Sequence, residues 1–269
     1  MNLMDEEANA VLDELVSHLQ LPYQLAEFQR VTINALAQKQ NVILVSPTGS
    51  GKMSIPLLAT QVLRRLSGIS KGICIVTQPL TRIMNEKLHN NICNAAVLSM
   101  RGHLSTSEDE ESSLSCDFND LINGKYDVLF CHPESCSSPL GQKILRELQR
   151  REMIILICID EFRQGGYGHW HSFRPDTMKM STGLRLYGIK DCPTLAMSAT
   201  LTKDEIDDVI RALGLRKPPT ILTASPVQSH IKFSIIRRPS NNYGLDGSVV
   251  AEGVKKPGLM DILHRIYLR

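Results

Sequence analysis

Residues 41–53 read NVILVSPTGSGKM, and the fold follows from how they are read. The first part, 41–46, is a short β-rich apolar run. It leads directly into Pro47, Thr48, Gly49, Ser50, Gly51, Lys52 and Met53, and then into a helical pattern over 54–66. Strand, glycine loop, lysine and helix is the context that a phosphate-binding loop requires. The glycines let backbone N–H groups turn inward onto phosphate oxygens, and the helix N-terminus adds partial positive charge. Lys52 would supply a full charge to the β- and γ-phosphates. The competing reading is an ordinary glycine turn between strand and helix. Ser46 stands where the general pattern has its first glycine.

Outward from this loop the same alternation recurs. Apolar runs at 73–77, 95–99, 127–131, 154–159, 194–198 and 220–223 read as strands, making seven with 41–46. Most are apolar throughout, as strands buried on both faces are, so the sheet is expected to be parallel and helix-covered on both sides. Residues 5–20 carry Val11, Leu12, Leu15, Val16 and Leu19 at helical spacing. Residues 202–213 open on Thr202-x-x-Glu205, a capping box, and stop at Gly214. The acidic stretch 105–113 reads as a solvated loop or helix start, and 239–258 as a connector rich in turn formers.

Composition narrows the function classes. With 30 basic and 28 acidic residues the net charge is +2, so nucleic acid would have to be gripped at local sites, not by a global cationic field. The seven cysteines form no Cys-x-x-Cys pair, which points away from zinc and toward buried thiols in a reducing compartment. The start of the chain is acidic (Asp5, Glu6, Glu7), unlike a signal peptide, and no apolar stretch is long enough to span a membrane.

A second site signal closes strand 154–159. Asp160 and Glu161 form a carboxylate pair at the end of a buried strand, where α/β sheets place ligand chemistry. Asp160 would hold Mg²⁺, and Glu161 would orient and deprotonate an attacking water. Such a pair can also simply cap the next helix. Met53 is the discordant residue. A phosphate loop follows its lysine with Ser or Thr, whose hydroxyl binds Mg²⁺, whereas a thioether suits a hard cation poorly. Ser54 comes one residue late, roughly 100° round the helix.

The ordered set of motifs resembles the first motor domain of RecQ-type, superfamily-two ATP-dependent DNA helicases. The resemblance covers roughly residues 20–240. Asp160–Arg163 (DEFR) stands at the DEAH-type box. Tyr167-Gly168-His169-Trp170-His171-Ser172-Phe173-Arg174-Pro175 resembles the family's aromatic loop, Trp-Gly-His-Asp-Phe-Arg-Pro. Gln78-Pro79-Leu80, with Met84 and Glu86, is similar to its Ser-Pro-Leu DNA-contacting motif. Gly124 to Glu134 (GKYDVLFCHPE) is similar to its Gly-Lys-Tyr strand. Ser198, Ala199 and Thr200 match the motif that couples nucleotide state to domain movement, and Gln29, after Phe28, stands at its adenine-reading glutamine.

The resemblance implies a RecA-like P-loop NTPase fold, with ATP and Mg²⁺ as ligands, Mg²⁺ being weakened by Met53. It implies single-stranded or forked DNA as partner, 3′ to 5′ translocation, and a nuclear or cytoplasmic location. Tyr167, Trp170 and Phe173 would stack on bases beside His169, His171 and Arg174, with Pro79 and Arg82 also at the nucleic acid. A packed aromatic cluster is the structural alternative. Residues 1–228 are expected to form the ATP-binding domain, and 229–269 a connector and the truncated start of a second RecA-like domain. That second domain would be supplied in trans or by a longer chain.

Departures from the family pattern are Met53, Phe162 and Arg163 in place of Ala-His, and Ala26 near the position of an expected arginine. They keep open a second class of function, a catalytically silent RecA-like module that binds nucleic acid or protein. A DEAD/DEAH-type RNA helicase shares the phosphate loop and the Ser-Ala-Thr motif but does not account for the aromatic loop.

Overall fold

The computed structural model describes residues 3–78, 92–98, 104–105, 118–160, 192–215 and 218–225. In chain order, the helices Leu3–Leu19 (α1) and Glu27–Ala37 (α2) lead into strand Val42–Val45 (β1), followed by helix Ser54–Ser67 (α3). Strands Ile73–Thr77 (β2), Ala95–Leu98 (β3) and Leu104–Ser105 (β4) follow. Next come helix Phe118–Ile122 (α4), strand Val128–Cys131 (β5) and helices Pro133–Ser137 (α5) and Pro139–Arg150 (α6). Strands Ile154–Ile159 (β6) and Thr194–Ser198 (β7), helix Lys203–Leu213 (α7) and strand Thr220–Thr223 (β8) complete the described elements. All lie in the compact unit Met1–Pro226; the second unit, Val227–Arg269, lies outside the described residues.

The sheet order is β4-β3-β5-β2-β6-β7-β1-β8. Every pairing is parallel except β3 with β4. The seven expected strands are therefore present, with ends within a residue of expectation, and the parallel sheet is as read. The two-residue β4 is additional. Two residues span a single period of alternation, too few for sequence pattern to carry a signal.

Successive strand residues point to opposite faces, and both faces are dry. Val42, Leu44, Cys74, Val76, Val97, Phe130, Leu156 and Met197 pack with residues of α1, α2 and α3. Their neighbours Ile43, Ile75, Ala96, Leu129, Ile157 and Ala196 pack with Ile144, Leu148, Val209 and Leu213 of α6 and α7. This two-sided burial explains why the strands read as continuous apolar runs. Local chemistry agrees with packing at the helix ends. The Thr202 hydroxyl accepts from the Glu205 N–H at 3.4 Å, while the Glu205 carboxylate accepts from the Thr202 N–H at 2.6 Å. Gly214 then ends α7 at φ 55°.

Candidate functional site

The four neighbouring strands β2, β6, β7 and β1 deliver the candidate residues to one edge. Their carboxyl ends carry Gln78, Asp160, Ser198 and the loop from Ser46 to Met53. Register fixes this alignment: Thr77 is opposite Ile159, Ile159 opposite Ala196, and Ser198 opposite Val45. Ligands of open α/β sheets bind outside the carboxyl ends of the strands.

The loop is tied to its neighbours by its first residue. Ser46 N–H donates to the Ser198 carbonyl at 2.9 Å, and the Ser46 and Ser50 hydroxyls share a hydrogen bond. Gly49 and Gly51 stand at φ 80° and 81°, a region side chains rarely adopt. A Cβ on Gly49 would meet no atom within 4 Å, so the loop is open there. Lys52 is buried, and α3 begins at Ser54. Glycines in the left-handed region, a lysine and a following helix fit a phosphate chain.

Gln29 lies against this loop, 3% exposed. Its Oε1 accepts from the Ala26 N–H at 2.7 Å at the start of α2. Its Nε2 lies 3.0 Å from both the Gly51 carbonyl and the Ser54 hydroxyl oxygen. The Ser54 hydroxyl donates to the Gly51 carbonyl at 2.8 Å, closing a small polar ring. Ser54 stands one residue beyond the position at which a metal-binding hydroxyl is expected.

Met53 is buried within the core cluster on the α1–α3 side of the sheet. It offers packing there and no oxygen. Asp160 is 4% exposed. Its N–H donates to the Thr77 carbonyl at 3.0 Å, and its Oδ2 accepts from Gln78 Nε2 at 2.7 Å. Gln78, read from sequence only as part of a DNA-contacting motif, thus touches the acidic site directly. Among the described residues no three His, Cys, Asp or Glu side chains converge as a metal cluster. Mg²⁺ is compatible with such a site, since it commonly takes one or two carboxylates and completes its shell with phosphates and water.

Ser198 and Thr200 form a tight local turn, the Ser198 hydroxyl donating to the Thr200 carbonyl at 3.1 Å and receiving the Thr200 N–H at 3.4 Å. Ala199 lies between them. Among the expected site residues, Glu161, Pro79, Arg82, Tyr167, His169, Trp170, Phe173 and Arg174 lie outside the described residues. So do Phe162 and Arg163 of the acidic box.

The described cysteines are free thiols. Cys131 and Cys136 bring their sulfurs to 3.1 Å inside the core. The hydrogen bond from Cys136 and burial raise the Cys131 thiol well above its ordinary value, and burial does the same to Cys74 and Cys158. A raised thiol pKa disfavours the thiolate, the form that reacts and binds metal.

Comparison with known proteins adds an independent finding. The sequence profile of the DEAD/DEAH box helicase family matches residues 26–209. The chain is 30% identical over 237 residues to the ATP-dependent helicase SGS1 of Saccharomyces cerevisiae, covering 85% of this chain and 15% of that protein. It is 26% identical over 216 residues to the ATP-dependent DNA helicase RecQ of Bacillus subtilis, covering 77% of this chain and 32% of that one. The helicase MrfA bound to DNA shares the fold with a TM-score of 0.55 at 15% identity, over 83% of this chain and 30% of that structure. The chain thus spans only a part of each relative's length.

Proposed function

This chain belongs to the DEAD/DEAH box helicase family and is similar to RecQ-type DNA helicases, and we propose that it is the ATP-binding motor domain of a RecQ-like 3′ to 5′ DNA helicase. In the complete protein it couples ATP hydrolysis to translocation on single-stranded or forked DNA, in DNA repair or recombination. The observation that carries this reading is the shared strand edge. The phosphate loop, Asp160 and Ser198 stand on adjacent strands, with the loop hydrogen-bonded to Ser198.

In this reading Gly49, Ser50, Gly51 and Lys52 hold the triphosphate, and Pro47 and Thr48 shape the entry to the loop. Asp160 would hold Mg²⁺, which would neutralise phosphate charge, and Glu161 would act as the base toward the attacking water. Met53 would offer the cation no side-chain oxygen, so Mg²⁺-nucleotide would bind more weakly than to a loop with Ser or Thr there. Ser198, Ala199 and Thr200 transmit nucleotide state through the Ser46–Ser198 hydrogen bond. Tyr167, His169, Trp170, Phe173 and Arg174, with Pro79 and Arg82, grip single-stranded DNA by stacking and phosphate contact. A second RecA-like domain, in trans or in a longer chain, completes the cleft and supplies the arginine that stabilises the transition state. The abundance of free thiols suits a nuclear or cytoplasmic location.

One observation favours a second reading. The residue that should offer a metal-binding hydroxyl is a methionine packed into the core, as expected of a catalytically silent module that binds nucleic acid or protein. Titration with a fluorescent ATP analogue, with and without Mg²⁺ and beside Lys52→Ala, separates the two. Lys52-dependent binding strengthened by Mg²⁺ supports the motor. Binding that ignores Lys52, or no binding, gives the silent module the lead.

A further inference from the structure

The environment of Gln29 bears on which nucleotide the loop accepts. A glutamine amide has two N–H donors and one carbonyl acceptor. Both donors have protein partners here: Nε2 lies 3.0 Å from the Gly51 carbonyl and 3.0 Å from the Ser54 hydroxyl oxygen. The carbonyl accepts from the Ala26 N–H at 2.7 Å. A Cβ built on Gly51 would approach Gln29 Nε2 to 3.0 Å, so the amide is seated directly on the loop.

Reading adenine with a carboxamide takes one N–H to N7 and the carbonyl to the N6 amino group. Gln29 has no donor to spare for this while Ser54 accepts one of them. Ser54 is held in place by its own hydroxyl bond to the Gly51 carbonyl at 2.8 Å. We infer that Ser54 is a specificity-determining residue: by binding the Gln29 amide to the phosphate loop, it makes this chain take nucleoside triphosphates by their phosphates, with little choice of base. The inference rests on the nucleotide-binding reading of the loop proposed above.

The test is a titration of the full chain with fluorescent ATP and GTP analogues in Mg²⁺, displaced by inorganic triphosphate. Wild type, Ser54→Ala, Ser54→Thr, Gln29→Ala, the Gln29→Ala/Ser54→Ala double variant and Lys52→Ala are compared. The wild-type chain is expected to hold the two analogues within about threefold of each other, less than one good hydrogen-bond pair discriminates. Ser54→Ala frees one amide donor and is expected to shift the ratio toward ATP by about fivefold or more. Ser54→Thr keeps the hydroxyl and the wild-type ratio, which separates this role from general loosening of the helix start. The double variant should match Gln29→Ala, since the shift needs the amide.

A wild-type preference for ATP beyond about threefold would overturn the inference. So would a Ser54→Ala ratio equal to wild type, or a shift that persists without Gln29. Triphosphate displacement and the Lys52 control report on the site itself. If neither analogue shows Lys52-dependent binding, the nucleotide reading fails and the base inference falls with it. If both bind through Lys52 and only the ratios disagree, the base inference alone fails.

Discussion

The Gln78 side-chain amide donates to the Asp160 carboxylate at 2.7 Å, with both residues buried at the ends of adjacent strands. A buried carboxylate needs donors, and the strand-end glutamine provides one while fixing the orientation of the acid. Gln78→Leu keeps the bulk and removes the donor. Leaving a buried acceptor short of a partner costs about 1–3 kcal/mol, so the urea midpoint should fall. The Mg²⁺-dependent gain in nucleotide affinity should fall as well, while affinity measured in EDTA changes less. A stronger Mg²⁺ response in Gln78→Leu would instead mean that the amide competes with the cation.

Met53 sets two requirements against each other. Its side chain fills the core beneath the loop, and its position is where a hydroxyl would serve a metal. Met53→Thr should increase the Mg²⁺-dependent part of nucleotide affinity. It should also lose stability by about 1–3 kcal/mol, since it removes buried methylene and thioether volume and places a hydroxyl among apolar groups. Denaturant unfolding and an Mg²⁺ titration on the same preparation read both. Unchanged Mg²⁺ dependence would refute the role given to this position.

Much of this fold is legible in sequence because its strands are buried on both faces. Runs such as 154–159 contain no polar residue, and no other placement hides six consecutive apolar side chains so readily. The Thr202–Glu205 cap and the Gly214 stop were equally local and equally readable. The phosphate loop was legible because its chemistry lies within one stretch of chain. Contacts between distant segments were not. Nothing at Gln78 announces Asp160, 82 residues away, and nothing at Ser54 announces Gln29. Sheet order brings Gln78 to Asp160, and the packing of α2 against α3 brings Gln29 to Ser54; periodicity encodes neither.

Glu147 gives a pH signature at the end of α6. Hydrogen bonds from Arg150 and then Arg151 hold its carboxyl down, at about 2 against an ordinary 4.5. The folded value lies below the unfolded one, so the contribution is present above pH 4.5 and is lost as pH falls toward 2. The group is at the surface, where solvent screens the pair and the effect is small. Glu147→Gln should lower the urea midpoint slightly at pH 6, and the difference from wild type should shrink by pH 3. A difference that grows on acidification would contradict this sign.

The ion pair between Arg64 and Asp127 anchors α3, the helix that follows the phosphate loop, to the start of β5. Asp127 also accepts from Gln61 Nε2 at 3.1 Å and from the Asn94 N–H at 2.9 Å, so one carboxylate joins three segments. The pair is largely buried, and desolvation lowers the Arg64 pKa. Among the described residues, Arg64 Nε and Nη2 are buried without an acceptor. Asp127 is therefore the main compensation for a desolvated cation. Asp127→Ala should cost about 3–5 kcal/mol, because removing one partner leaves the other charged and buried. Arg64→Met/Asp127→Ala should recover a substantial part of that loss, since a buried pair replaced by apolar side chains is often neutral. The four-member cycle is read by urea unfolding. A coupling energy near zero would mean that the two side chains act independently, and that α3 is held by its apolar face alone.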